Sequence, residues 1–281
     1  MKNKKNPLCP ICNKKSFYKL RGVGKIIRCS NCGFGRLNLC PPLDDVEAMY
    51  NAKAYFGDKN GDEYYLDALK RYKFISRKIP SGAKILDFGC GMGQFIGLCR
   101  KGGYRIKGYD ISKYVVNKVN SKYGFVAKSG KLSKRMYKQG SFDVITSFDV
   151  IEHVWDFEKA IDCFNYWLKP GGYLYLSTPN IDSWDAKLFS SRWHGYTKLK
   201  EHLVYFSPKT INILLKRNGF YQVSVKQWGF VRSIGFAVKK MFGKKRSKLF
   251  FINDLVSQIK LDKLCLYFPM HNMLIIAQKT K

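Results

Sequence analysis

The chain has 281 residues, 46% of them hydrophobic, and carries 51 Lys+Arg against 20 Asp+Glu, a formal net charge of +31. That length suits one α/β domain with a small appendage, and the hydrophobic content suits a globular core. No apolar run reaches the ~18 residues of a membrane-spanning helix, so that class is excluded. The charge is uneven: no acid precedes Asp44, and none occurs between Glu201 and Asp254. A strongly basic chain meets anions such as RNA, an anionic membrane surface or phosphate-bearing small molecules, or else its lysines cover solvated faces. The first residues, MKNKKNPLCP, are basic but lack the apolar stretch of about 7–15 residues in a secretory signal. Nine cysteines, an odd number and mostly scattered, fit reduced thiols better than a disulfide frame. Together these give the expectation of a cytoplasmic protein.

Taken in order, residues 1–40 hold Cys9-x2-Cys12 and Cys29-x2-Cys32, the spacing of a four-cysteine zinc site. Between the pairs, two strand-like runs flank Gly22–Gly24, which reads as a hairpin joining two knuckles. Four thiolates around one Zn²⁺ make a closed, structural site. A redox CxxC is the competing reading, against which the presence of two pairs argues. Cys40 falls outside the pattern.

Pro41–Pro42 break the chain, and residues 41–80 read as a helical linker with a loop at Gly57–Gly61. Tyr50, Tyr55, Tyr64 and Tyr65 crowd this segment, either as core or as a lid over a site. From Ser81 strands and helices alternate. KILDFG is followed by Gly89, Gly91 and Gly93 and a helix FIGLCRKGG. YRIKGYD is followed by a helix that Ser112 caps, and then by a short strand FVAKS. FDVITSF, Phe142–Phe148, is a near-continuous apolar run of the kind a buried parallel strand shows. IDCFNYWLKPGG ends a helix at Pro170, and YLYLSTPN is the next strand. Repeated βα units imply a parallel sheet whose strand ends, at Gly89–Gly93, Asp110, Ser147–Glu152 and Thr178–Asn180, form the ligand side.

The D-x-G-x-G-x-G of Asp87–Gly93 and the acid Asp110 closing the next strand resemble motifs I and II of class I S-adenosylmethionine-dependent methyltransferases. LKPGGYLYLSTPN, FDVIEHV and WHGYTKLKEHLVYFSPKTINILLKRNGF extend the resemblance over about Tyr64–Phe220, and MLIIAQK resumes it. They look like the small-molecule branch, near ubiquinone-biosynthesis O-methyltransferases and bacterial sugar or polysaccharide methyltransferases. The resemblance implies an α/β fold with a doubly wound, mostly parallel seven-stranded sheet over residues 81–281, carrying the zinc ribbon at 1–40. It implies S-adenosylmethionine as cofactor, with Gly89, Gly91 and Gly93 against the methionine moiety. Asp87 would meet the ammonium and Asp110 the ribose hydroxyls. Cys90, Ile111, Ser147 and Phe148 complete the expected cofactor set, and residues 41–80 would pack over it. The usual acid after strand three is missing from KSGKLSK, leaving Ser129 or a backbone group for adenine.

Methyl transfer is an in-line displacement in which a base can remove the acceptor's proton. His153, then His202, are the candidate bases, with Glu152 beside the first and Glu201 able to orient the second. Each can equally be a histidine bonded to backbone. In the ubiquinone-type relatives an acid-x-x-Glu-His arrangement is linked to a divalent cation, which would place Mg²⁺ at Asp149, Glu152 and His153. Residues 227–269 read as a basic helical insertion. Ile234, Val238, Met241 and Phe242 share one face, and Ile252, Leu255, Val256 and Ile259 continue it. Such a helix lies on an anionic membrane or packs beside the acceptor pocket. The expected acceptor is a small molecule, a hydroxyl of a sugar or of a lipid-linked, cell-surface precursor. The rivals are an RNA methyltransferase gripping phosphates with its basic ribbon, although no N-P-P-[YF] motif is present, and a non-catalytic cofactor-binding module.

Overall fold

The computed structural model describes residues 8–51, 62–235, 238 and 264–281. Five parallel strands form its centre: β4 (Lys84–Phe88), β5 (Arg105–Tyr109), β6 (Ala127–Lys128), β7 (Phe142–Phe148) and β8 (Leu168–Pro179). β10 (Phe220–Ser233) and β11 (Cys265–Lys279) complete a seven-stranded sheet of order β10-β11-β8-β7-β4-β5-β6, with β11 antiparallel to both its neighbours. Strand order reverses between β4 and β7, the position where open α/β sheets leave a crevice at their carboxyl ends.

Alternation along the strands sorts side chains to two cores. Leu86, Phe88, Ile145 and Leu174 join one, while Ile85, Val144 and Tyr175 join the other. β7 lies between β4 and β8 and is covered on both faces, which is why its sequence is apolar almost throughout. Helix α3 (Gln94–Lys101) buries Phe95, Ile96, Leu98 and Cys99, and stops at Gly102. Helix α4 (Lys113–Tyr123) starts at Ser112, whose hydroxyl accepts from the Val115 N–H at 3.3 Å as its sequence position predicts. Helix α5 (Phe157–Trp167) ends three residues before Pro170. Leu168 is already extended at φ −72°, ψ 142°, and Lys169, which precedes the proline, is biased away from helix. The expected helix end at Pro170 is therefore corrected to Trp167.

Residues 41–80 supply α1 (Leu43–Asn51) and α2 (Asp62–Ser76). Tyr55 and Gly57–Gly61 lie outside the described residues. At the other end the expected helical insertion begins later than its sequence suggested. β10 runs through Ser233 and pairs with β11 back to Cys265, so 227–233 and 265–269 are strand. A bulge between Trp228 and Phe230 carries Gly229, where a Cβ would sit 1.8 Å from the Phe268 carbonyl oxygen. Only a glycine allows that approach. Met241, Phe242, Ile252, Leu255, Val256 and Ile259 lie outside the described residues. Among the described residues, no helix is long and apolar enough to cross a membrane.

Residues 8–40 contain the expected hairpin, β1 (Phe17–Lys19) and β2 (Ile26–Cys29), followed by β3 (Gly35–Leu37). They are not a free appendage. β3 pairs with β9 (Val204–Tyr205), a strand contributed by the segment after β8, to make a second sheet of order β1-β2-β3-β9. Ile26, Phe34 and Leu37 belong to the same core as Phe157, Leu203 and Phe206.

Candidate functional site

The turn after β4 fixes one end of the site. Gly89 (φ 82°), Gly91 (φ 49°) and Gly93 (φ 77°) all occupy left-handed backbone. Two of these show why glycine is required. A Cβ on Gly89 would fall 2.2 Å from Val150 Cγ2, whereas one on Gly91 meets nothing within 4 Å and would project into open space. Asp110, at the end of β5, ties the turn down. Its Oδ2 accepts from the Gly91 N–H and its Oδ1 from the Ser112 N–H, both at 3.0 Å. Asp87 is buried in β4 and accepts from Thr146 Oγ1 at 2.7 Å. Burial pushes its carboxyl up to about 6, against the Thr146 hydrogen bond and the Arg71 charge, which favour the ionised form.

These groups open on a cavity of about 660 Å³ at the carboxyl ends of the sheet. Its wall includes Asp87, Gly89, Cys90, Gly91, Asp110, Ile111 and Phe148 on one side, and Glu152, His153 and His202 on the other. Of the expected residues, Gly93 and Ser147 stand behind the wall: Gly93 is the N-cap of α3 against Val119 and Tyr123, and Ser147 is fully buried in β7. Gly130, Lys131 and Leu132 line the cavity beyond β6, in the stretch where the expected acid is missing. Tyr50 of α1 and Tyr64, Asp67 and Arg71 of α2 close over it, and Phe230, Arg232 and Asn272 reach it from β10 and β11.

The second side is built by the turn after β7 and by the segment after β8. Asp149 takes up φ 58°, a strained value for a residue with a side chain. Its carboxylate pairs with Arg71 at 2.6 Å and accepts from Ser177 Oγ and Asn272 Nδ2. The Arg71 guanidinium also lies 4.8 Å from the Phe148 ring centre. Glu152 is buried, and burial, followed by the Asp149 charge, pushes its carboxyl well above the ordinary carboxylate range. His153 Nδ1 lies 2.8 Å from the Glu201 carbonyl oxygen, and His202 Nδ1 lies 2.9 Å from that of Gly195. Each Nδ1 therefore carries the proton and donates it to a carbonyl, leaving Nε2 as an acceptor.

The rings of His153 and His202 stand 5.0 Å apart in an edge-to-face arrangement. Burial, then the His153 charge, pushes His202 down to about 3. An unfolded chain protonates this histidine near pH 6.5 and the native state does not, so native stability is lost as pH falls from about 6.5 towards 3. The unfolding free energy of the wild type is expected to drop faster over that range than that of His202→Asn, by up to about 1.4 kcal/mol per pH unit, with its melting temperature following. Parallel thermal melts would show equal slopes if the imidazole were solvated.

The expected Mg²⁺ trio is not assembled, because Asp149 is turned to Arg71, Ser177 and Asn272. Among the described residues, the donors that converge there are Glu152, His153 and His202, within 4.8 Å of one another. One carboxylate and two imidazoles do not form the oxygen shell that Mg²⁺ requires. In the ribbon, by contrast, the cysteines converge as expected. Cys9, Cys12, Cys29 and Cys32 place their sulfurs within 4.8 Å, with Cys9–Cys32 and Cys12–Cys29 at 3.6 Å, and none is in a disulfide. Tetrahedral Zn–S bonds of about 2.3 Å require sulfurs about 3.8 Å apart, so the cluster fits a zinc ribbon. Burial, with the Cys29 charge adding to it, pushes the Cys9 thiol up to about 11, so a cation is needed to hold it as thiolate at neutral pH.

Arg71, Asn272 and the α2 face around Asp67 were not singled out in the sequence. Arg71 looks like any helical surface arginine in a Lys/Arg-rich chain. Asn272 did carry a signal, as a polar residue heading the apolar run of β11.

A family model described as a methyltransferase domain matches residues 59–225. A probable S-adenosylmethionine-dependent methyltransferase of Mycolicibacterium smegmatis is 35% identical over 116 residues, 40% of this chain and 45% of that protein. A ubiquinone biosynthesis O-methyltransferase of Xanthomonas axonopodis pv. citri is 31% identical over 147 residues, 49% of this chain and 60% of that protein. The chain thus spans about half the length of the curated relatives it matches. An S-adenosylmethionine-dependent methyltransferase from Archaeoglobus fulgidus superposes with TM-score 0.56 at 19% identity, over 81% of this chain and all of that one. A phosphoethanolamine N-methyltransferase of Haemonchus contortus does so with TM-score 0.56 at 16% identity, over 87% of this chain and 61% of that one. At such identities the structures establish the fold.

Proposed function

The chain belongs to the methyltransferase domain family, and from that premise we propose that it transfers a methyl group from S-adenosylmethionine to a small molecule. The acceptor atom is a hydroxyl of a sugar or of a lipid-linked, cell-surface precursor. The observation that carries this reading is the two-sided cavity. One side offers the glycine turn, Asp87 and Asp110, and the other offers Glu152, His153 and His202.

S-adenosylmethionine supplies an electrophilic methyl on a sulfonium, which becomes a neutral thioether as the S–CH₃ bond breaks and the O–CH₃ bond forms. Gly91 leaves its backbone open to the ligand, Asp110 takes the ribose hydroxyls and Asp87 takes the ammonium. Ile111, Cys90 and Phe148 line the adenosine side, and Gly130–Leu132 offer backbone for adenine. His153 holds its proton on Nδ1 against the Glu201 carbonyl, and its Nε2, 3.9 Å from Glu152 Oε1 on the cavity wall, takes the acceptor's hydroxyl proton. His202, neutral and poorly basic, is a shape-defining neighbour. Glu152, whose burial favours the protonated form, can donate a hydrogen bond to the acceptor. α1 and α2 form the lid.

Charge favours a small acceptor over RNA. Among the described residues, nine acids line the cavity against five lysines and arginines, although the whole chain carries +31. Phosphates would be repelled there, while cationic S-adenosylmethionine would be drawn in.

The test incubates the full chain with methyl-labelled S-adenosylmethionine and lysate of the source cell, then separates lipid, carbohydrate, RNA and protein. Label is expected in the carbohydrate or lipid fraction, and is expected to fall at least tenfold with His153→Ala, the scale of general-base catalysis. Label in RNA would replace this reading with the RNA methyltransferase.

A further inference from the structure

The ribbon and the second side of the cavity share a backbone seam. β3 pairs antiparallel with β9, Gly35 opposite Tyr205 and Arg36 opposite Val204. The Leu37 N–H donates to the Leu203 carbonyl at 2.9 Å, and the Leu203 N–H donates to the Glu152 carbonyl at 2.8 Å. One residue therefore joins the last strand of the ribbon to the turn that carries Glu152 and His153. Its predecessors in sequence are Glu201, whose carbonyl holds His153, and His202 itself.

Side chains reinforce the seam. Phe34 packs on Phe157 and Phe206 with ring centres 5.4 and 5.5 Å apart. The Arg36 guanidinium sits 5.4 Å from the ring centre of Trp155, a residue of the cavity wall. Arg28 pairs with Asp182, just beyond β8. β9 has two residues, and among the described residues its backbone pairing apart from β3 is an isolated bridge next to it, from Phe206 to Asn180. A two-residue strand has almost no stability of its own and borrows it from its neighbour. The neighbour is itself a module of short strands, of the size that ordinarily needs a metal to fold, and its four cysteines converge as zinc ligands would.

The backbone of the first side of the cavity has its own anchors. The glycine turn is held by Asp110 and by the Tyr109 carbonyl, to which the Gly89 and Cys90 N–H groups donate. We propose that the ribbon braces the acceptor wall from behind. The metal held by Cys9, Cys12, Cys29 and Cys32 keeps Glu152, His153 and His202 in position through the β3–β9 seam, and the cofactor side is independent of it. This rests on the reading of that side as the acceptor's.

The test uses the full chain loaded with zinc, with backbone hydrogen exchange followed over residues 201–207 and calorimetric titration with S-adenosylhomocysteine. Stripping the zinc with a chelator is expected to reduce protection of 201–207 at least tenfold while the S-adenosylhomocysteine affinity changes less than threefold. Gly35→Val supplies a second route that leaves the thiols intact. Its Cβ would start 2.9 Å from Ile181 Cδ1 and 3.2 Å from Tyr205 Cβ, wedging the seam. The same loss of protection is expected with one zinc still bound per chain. Unchanged protection of 201–207 in the zinc-free chain would overturn the proposal, as would a chain that takes up no zinc. Loss of S-adenosylhomocysteine binding together with the protection would make the ribbon a support of the whole fold and also overturn it. A zinc-loaded chain that never binds S-adenosylhomocysteine would instead defeat the cofactor reading, with the exchange result still deciding the coupling.

Discussion

Asp110→Ala is expected to weaken S-adenosylhomocysteine binding about 100-fold. The carboxylate accepts from the Gly91 and Ser112 N–H groups, so its loss leaves both donors facing a partly buried gap. Hydrogen bonds to a charged group contribute about 1.5–3 kcal/mol each, and the turn loses its anchor as the ligand loses its ribose contact. A penalty of about 3 kcal/mol corresponds to roughly two orders of magnitude in affinity. Asp110→Asn keeps one acceptor oxygen and should lose about tenfold. Calorimetry on the three proteins decides the matter, and an alanine variant within threefold of wild type would remove Asp110 from the ligand contacts.

Gly89→Ala is expected to act through the fold, and Gly91→Ala through the ligand. At Gly89 the new Cβ lands 2.2 Å from Val150 Cγ2, in a backbone conformation of φ 82°. Overpacking of this kind costs about 1–3 kcal/mol, and left-handed backbone on a residue with a side chain about 1–2 kcal/mol more. The Gly89 variant should thus lose about 2–5 kcal/mol of stability in urea unfolding. Gly91 at φ 49° has free space around its absent Cβ, so that variant should lose only the backbone part. Its methyl would nevertheless occupy the space a ligand needs, and binding should fall at least tenfold. Equal stability of the two variants would show that Val150 yields.

Some of the site was legible because its chemistry forces local sequence. The glycines must be glycine for conformation, the acids must end strands, and four cysteines must fall in pairs. The relation between those pieces was not local. The junction of β3 with β9 joins Gly35 to Tyr205, and no pattern in either two- or three-residue strand announces its partner. Asp149 belonged by spacing with Glu152 and His153, yet Arg71 and Asn272, from α2 and β11, claim it. His202 instead joins Glu152 and His153 because the segment after β8 folds back over the turn after β7. The strand character of residues 227–233 lost out in the sequence to the helical look of the lysine-rich stretch that follows.

In the proposed function the cavity holds S-adenosylmethionine with an ionised Asp87. Burial raises that carboxyl to about 6 without ligand, so a proton competes with the ligand's ammonium below that pH. The measurement is a calorimetric titration of S-adenosylhomocysteine, which carries the same ammonium, at pH 7.5 and pH 5. One site per chain is expected, with affinity about tenfold weaker at pH 5 and the difference abolished in Asp87→Asn. An absence of binding at either pH, or a wild-type affinity that does not change between them, would contradict the account.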